Sequence, residues 1–239
     1  MDWKFGDFTI IDLIAATTNA FNAALLARRP DHYKHFTVVG ILLLGVIGGL
    51  AGGIARDILL LQTPAALLNP AYLILALVAA GAALATDYRS GQALRGGLFQ
   101  FATSLALPWY AIIGAAEAMD AGLPHLAAVL IGVVSATAGR YLVDLTCRVT
   151  PKLFIRSEWY VGTTVLAAVA YLVCAAGFRL GVWPATLIAF VVAFVFRYAA
   201  MLRGWEEPEP WEPPELQAAE NPGPPVHERR DQEPGSGPG

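Results

Sequence analysis

The chain has 239 residues, is 56% hydrophobic and has a mean hydropathy of +0.53. Soluble domains hold about 45–50% apolar residues, so the excess points to the bilayer and away from a chain folded wholly in water. The net charge of −3 mixes two regions: positions 204–239 carry nine acidic residues, two arginines and nine of the sixteen prolines, and the remainder stands at +4.

In chain order, the N-terminus shows no basic region followed by a cleavage site, so no removable signal is expected. Seven apolar runs follow, at 8–27, 36–62, 70–86, 96–119, 124–147, 158–178 and 181–202, each a candidate to cross about 30 Å of hydrocarbon. The first carries Asp12, Asn19 and Asn22, expected to face a polar interior. His32 and His35 in the next loop form an H-x-x-H read as solvated rather than metal-binding. The second run is the longest, about 40 Å as a helix, so it must tilt, protrude or bend. It contains "GVIGGLAGGIARD", Gly45 to Asp57. Gly45, Gly49 and Gly53, and likewise Gly48 and Gly52, recur at four-residue spacing, which suits close helix packing. Glycine density also lowers the cost of kinking or unwinding, and freed backbone groups would then need protein or water. Arg56 and Asp57 end the stretch, and each charge at mid-membrane costs about 2.5–3.5 kcal/mol on insertion scales. Either they are neutralised, Arg56 by a carboxylate across the bundle, or they line a polar route.

The fourth run places Thr103, Ser104 and Pro108 level with the polar residues of the first, and Glu117 and Asp120 at its end are expected to reach water. The fifth contains "GVVSATAG", Gly132 to Gly139. There Ser135 and Thr137 either offer oxygen ligands or bond back to their own helix. Arg140 and Asp144 stand one turn apart as an i,i+4 pair. Cys147 and Cys174, on different predicted helices, read as buried thiols rather than a disulfide. His125 and His227 have no partner at ligand spacing. The tail, 204–239, is too polar to offset its ordering entropy and is expected to be disordered.

Connections on one face of the bundle hold Arg28, Arg29, Lys34, Arg89, Arg95, Arg148, Lys152, Arg156 and Arg203, against Lys4 and Arg179 on the other. Lysine- and arginine-rich short loops stay cytoplasmic. A multi-pass cell-membrane protein with its N-terminus outside and its C-terminus cytoplasmic is expected.

Shifted by 87 residues, the sequence matches itself: Leu43 falls on Leu130, Gly45 on Gly132, Val46 on Val133, Ala51 on Ala138, Gly52 on Gly139, Asp57 on Asp144, Thr63-Pro64 on Thr150-Pro151 and Tyr72 on Trp159. Three spans per unit is an odd number, so the second unit lies upside down, as in many transport proteins. The predicted fold is all-α and polytopic: seven transmembrane helices as two inverted three-helix repeats, 1–94 and 95–180, a seventh helix at 181–203, and the acidic tail at 204–239.

This plan, with "AGGIARD" at Ala51–Asp57, resembles the trimeric intracellular cation (TRIC) channels in their prokaryotic branch, and the related bacterial UPF0126 family that carries the glycine-transporter label. The second repeat departs from the motif: "TAGRYLVD", Thr137–Asp144, has one glycine, Arg140 displaced by a turn, and Val143 where arginine would match. The resemblance implies a homotrimer with a pore in each protomer, along kinked second and fifth helices, passing potassium with some sodium. The lysine-bearing phosphoinositide motif of the animal branch has no counterpart between Phe99 and Glu117.

The expected function is a monovalent cation channel. Its pore-lining or gating candidates are Asp12, Asn19, Gly48, Gly49, Gly52, Gly53, Arg56, Asp57, Thr103, Ser104, Ser135, Thr137, Gly139, Arg140 and Asp144. Asp57 and Asp144 bias the mouths toward cations, and Arg56 and Arg140 hold them or oppose ion entry. A secondary transporter of a small solute such as an amino acid, and a scaffold using the glycine seams for assembly alone, are the alternatives. No Walker loop, zinc-protease motif, serine elbow or TVGYG filter is present. No enzyme activity, cofactor, resident metal or nucleic-acid partner is expected; potassium and sodium ions and membrane lipids are the expected partners.

Overall fold

Long apolar runs punctuated by Pro, Gly and Asn leave the backbone one economical way to satisfy its amides in hydrocarbon, the α-helix. The computed structural model describes residues 6–28, 36–86 and 88–208, with side chains at 10–28, 36–86 and 104–208. Every regular element among them is helical: α1 Gly6–Ala27, α2 Val38–Leu59, α3 Ala65–Leu68, α4 Pro70–Ala85, α5 Tyr88–Asp120, α6 His125–Thr146, α7 Tyr160–Leu172, which runs on through a π-turn at Val173–Gly177, and α8 Val182–Arg203. Among the described residues, five stretches, in α1, α2, α6, α7 with its π-turn and α8, are long and apolar enough to cross a membrane, and α4 is a shorter apolar helix. The Thr103 side chain and the His32/His35 pair lie outside the described residues.

Local chemistry sets the ends. Thr37 caps α2, its hydroxyl accepting from the Gly40 amide at 3.1 Å. Asn69 caps α4 by accepting from the Ala71 amide at 3.0 Å, with Pro70 at the first helical position, where its missing N–H costs nothing.

Helices α2 and α6 have the same limits shifted by 87 residues, and the turns after them repeat bond for bond. Leu61 and Arg148 both take positive φ, 57° and 54°. The Gln62 amide donates to the Asp57 carbonyl at 2.8 Å, and the Val149 amide to the Asp144 carbonyl at 3.0 Å. The second carboxylate oxygen of each aspartate accepts the amide eight residues on: Ala65 to Asp57 at 2.8 Å, Lys152 to Asp144 at 3.1 Å.

The glycines do not unwind these helices; both are helical throughout. The expectation of a loosened backbone is corrected by where the missing side chains would stand. A methyl group on Gly52 would overlap the Ser135 carbonyl oxygen, and one on Gly139 would sit 2.5 Å from that of Gly48. The two contacts exchange under the 87-residue shift. Gly49 is pressed in the same way on the Ala16 carbonyl of α1, at 2.7 Å, and Gly132 on the Ala111 carbonyl of α5, at 2.5 Å. Small residues here buy backbone-to-backbone approach. Gly53 differs: its nearest neighbour is the Arg56 guanidinium, at 3.8 Å.

Alanine carries most of the rest of the packing. The buried residues of α8 are Ala185, Thr186, Ala189, Ala193, Arg197 and Ala200, all but Thr186 following one another three or four residues apart as one helix face requires. Thr186 and Arg197 are the polar members of a buried set otherwise made of alanine methyls. Cys147 and Cys174 are free buried thiols, as expected.

Two polar chambers along α1 and α2

The first chamber is built around Arg56, whose side chain is 2% exposed. Its Nε donates to Asp57 Oδ1 at 2.8 Å and lies 2.7 Å from Glu117 Oε2 on α5, while Nη1 stands 3.6 Å from Asp12 Oδ1 on α1. Tyr72 on α4 donates its hydroxyl to Asp12 Oδ2 at 2.8 Å, and Tyr110 on α5 donates to the Gly49 carbonyl at 2.9 Å. Three carboxylates therefore face one guanidinium. A cavity of about 10 Å³, room for about one water, is bounded here by Asp12, Ala16, Leu50, Gly53, Tyr72 and Tyr110, among others. The expected cross-bundle partner of Arg56 is thus found twice, in Asp12 and Glu117. Glu117 does not simply reach water as expected: its side chain is 17% exposed and turned onto Arg56.

The second chamber, about 40 Å³, is lined by Asn19, Asn22, Gly48, Ala136, Arg140 and Tyr160, with Ala23, Leu26 and Val143. Arg140 donates through Nε to Asp144 Oδ1 at 2.6 Å, the expected i,i+4 pair. Asn22 is buried, and neither its amide nitrogen nor its oxygen has a protein partner. Such a group calls for water or an ion. The chambers follow one another along α1, Asp12 and Ala16 lining one, Asn19 to Leu26 the other. Asn19 stands three helical steps beyond Ala16, a rise of about 4.5 Å. Leu50, buried on α2, lines the first chamber and is not among the residues lining the second.

The remaining candidates divide by contact. Gly48 and Gly53 line the chambers, whereas Gly49, Gly52 and Gly139 are taken up by helix seams. Ser135 is buried with no partner for its hydroxyl, and Thr137 bonds back to the Val133 carbonyl at 2.7 Å. Ser104 donates toward Met201 Sδ of α8 at 3.2 Å, away from both chambers. Sequence reasoning missed the three tyrosines, 72, 110 and 160, which the hydrophobic fraction counts with the apolar residues. Their signal was the phenolic hydroxyl, which needs a partner wherever a tyrosine is buried.

In the loop between α6 and α7, Lys152 Nζ bonds Glu158 Oε2 at 3.0 Å. Burial pushes the Lys152 ammonium down, against the pull of that carboxylate. Burial alone would raise Glu158, but the Lys152 hydrogen bond and charge outweigh it and hold the carboxyl below its usual range. Among the described residues no group of three or more His, Cys, Asp or Glu is placed to hold a metal ion.

Together, the helices and buried ion pairs define a polytopic helical membrane protein with polar chambers in its interior. The same arrangement of helices occurs in solved TRIC channels. A structure that addresses conductance through TRIC cation channels superposes with a TM-score of 0.77 at 26% identity, over 87% of this chain and 98% of that one. The trimeric intracellular cation channel orthologue from Rhodobacter sphaeroides gives 0.69 at 28%, over 82% and 97%. The family described as glycine transporter matches residues 9–88 and 100–176, and the chain belongs to it. Relatives include a UPF0126 membrane protein of Deinococcus radiodurans, 32% identical over 66% of this chain and 71% of its own length. The UPF0126 inner membrane protein YadS of Escherichia coli is 25% identical over 80% and 90%.

Proposed function

We propose that the chain is a cation channel of the cell membrane, assembled as a homotrimer, with its pore inside each protomer along the two chambers. The observation that carries this is the succession of the chambers within one chain, separated by a single turn of α1. Similarity to TRIC cation channels over most of the chain supports the class of solute. Electrostatics supports the sign of the ion: Asp12, Asp57 and Glu117 outnumber Arg56 in the first chamber, and Arg140 is balanced by Asp144 in the second.

In this reading the chain has seven spans, in two inverted units and a trailing helix, with its N-terminus outside. The exchange of contacts between Gly52/Ser135 and Gly139/Gly48 is what a two-fold relation between α2 and α6 would produce, and it supports the inverted arrangement. On this proposal the present arrangement corresponds to a closed form. Arg56 occupies the first chamber as a tethered cation, and Leu50 and Ala16 keep the partition dry. A potassium ion entering must replace the guanidinium before Asp12, Asp57 and Glu117. It would next meet the carboxamides of Asn19 and Asn22. Sodium would follow less well, and membrane lipids would cover the exposed apolar faces.

A reversal potential measured across a potassium gradient, with purified protein in a planar bilayer, tests the reading. Currents reversing near the potassium equilibrium potential are expected; no current, or reversal at the anion potential, overturns it. Saturable counterflow of glycine in liposomes without unitary current steps would instead establish the transporter alternative.

A further inference from the structure

Helix α7 begins without a cap of its own. Its N-cap residue, Trp159, has φ 51° and offers no side-chain hydrogen bond, whereas α4, at the corresponding place in the first unit, is capped by Asn69. The first amides of a helix need acceptors, and those of α7 are met from the far end of the chain. Past α8, Gly204 takes a left-handed φ of 62° and turns the backbone. Glu207 then reaches α7: its Oε1 accepts from the Val161 and Gly162 amides, both at 3.1 Å. Its Oε2 accepts from the Ser157 hydroxyl at 3.3 Å, and its own amide donates to the Ser157 carbonyl at 2.9 Å. Next to it, Glu206 pairs with Arg156 at 2.5 Å. Residues that composition assigns to the tail thus form a clasp between α8 and α7.

The clasp bears on the second chamber through Tyr160, the first residue of α7. Tyr160 lines that chamber beside Asn22 and Arg140, and the Arg197 guanidinium of α8 stands over its ring at 5.8 Å. Arg197 is buried, and no hydrogen bond reaches its Nε or Nη1. Glu207 therefore caps the helix whose first residue, Tyr160, carries the Arg197 guanidinium over its ring.

We infer that Glu207 is a positioning residue for the second chamber, holding Tyr160 against it so that release of residues 204–207 admits water and small cations. The effect on current rests on the channel reading; the effect on the chamber does not. The test uses full-length protein with Cys147 and Cys174 replaced by alanine and Leu26→Cys as a reporter on the chamber wall. The reporter's modification by aminoethyl methanethiosulfonate is followed beside hydrogen exchange at Val161 and Gly162 and the thermal midpoint. Glu207→Ala is expected to speed both modification and exchange by about fivefold to tenfold, the scale of a lost charged cap. Glu207→Gln, which keeps an acceptor oxygen, should stay within about twofold, and Ser157→Ala should change both readouts in the same direction as Glu207→Ala. Faster exchange with unchanged modification at an unchanged midpoint overturns the coupling; unchanged exchange overturns the clasp itself. If the parent protein passes no current while modification still responds to Glu207→Ala, the channel reading fails and the clasp stands.

Discussion

A buried charge is decided by its partners, and Arg56 and Asp144 show two settlements. Asp144 is fully buried and accepts from Arg140 and from the Lys152 amide. Asp144→Ala strands both donors and should cost about 3–5 kcal/mol, as breaking a buried pair does, read by unfolding in a titration of denaturing detergent. Asp144→Asn keeps an acceptor for the amide and should cost less. Around Arg56 the imbalance runs the other way, because removing the cation leaves Asp12, Asp57 and Glu117 facing one another. Arg56→Met should therefore destabilise more alone than combined with Glu117→Gln. A double-mutant cycle checks it, with a coupling of about 0.5–3 kcal/mol expected for groups in one network. Part of this was legible beforehand: the Arg140–Asp144 pair follows from its i,i+4 spacing, and a carboxylate across the bundle was one of the two readings left open by the cost of a lone arginine. That Glu117 would be one of them was not, because its place near the end of a run reads as exposure unless the curvature of the bundle is known.

At the scale of the element, glycine has two roles that spacing alone does not separate. Sequence offers packing or bending for the same four-residue period; the choice depends on which backbone lies opposite, and that is a tertiary fact. The helix positions were legible because apolar length is a local property, as the run at 124–147 and α6 at His125–Thr146 illustrate. Four-residue α3 was not, since no periodicity fits so short a piece. Nor was the clasp: Glu206 and Glu207 share the composition of the tail, and only contact geometry separates them from it. The packing role yields a contrast. Gly52→Ala drives a methyl group into the Ser135 carbonyl of α6, while Gly81→Ala on α4 meets nothing within 4 Å. The first should destabilise by at least the 1–3 kcal/mol typical of overpacking, to about that order. The second should be neutral or stabilising by up to about 1 kcal/mol. Parallel detergent-titration unfolding of the two variants measures the difference.

In the proposed reading a partition parts the two chambers, and it is there that channel and transporter make different demands. A channel needs both chambers joined for as long as it conducts; an alternating carrier must never join them. Leu50 is the largest apolar side chain bounding the first chamber, and shortening it widens the route without touching a charge. Leu107, buried in the core on α5, is not among the residues lining either chamber, so Leu107→Ala controls for the 2–5 kcal/mol that a core truncation costs in general. If ions pass through joined chambers, Leu50→Ala raises open probability at every voltage and Leu107→Ala does not. Arg56 should then become the more visible gate. A guanidinium moving through the field gains about 2.3 kcal/mol per 100 mV for a full crossing, so Arg56→Gln on the Leu50→Ala background should flatten the remaining voltage dependence. A carrier behaves oppositely: Leu50→Ala abolishes counterflow and leaves an uncoupled leak. Single-channel recording and counterflow on the parent and the three variants decide between them. A Leu50→Ala protein indistinguishable from its parent in both assays would remove the partition from the pathway.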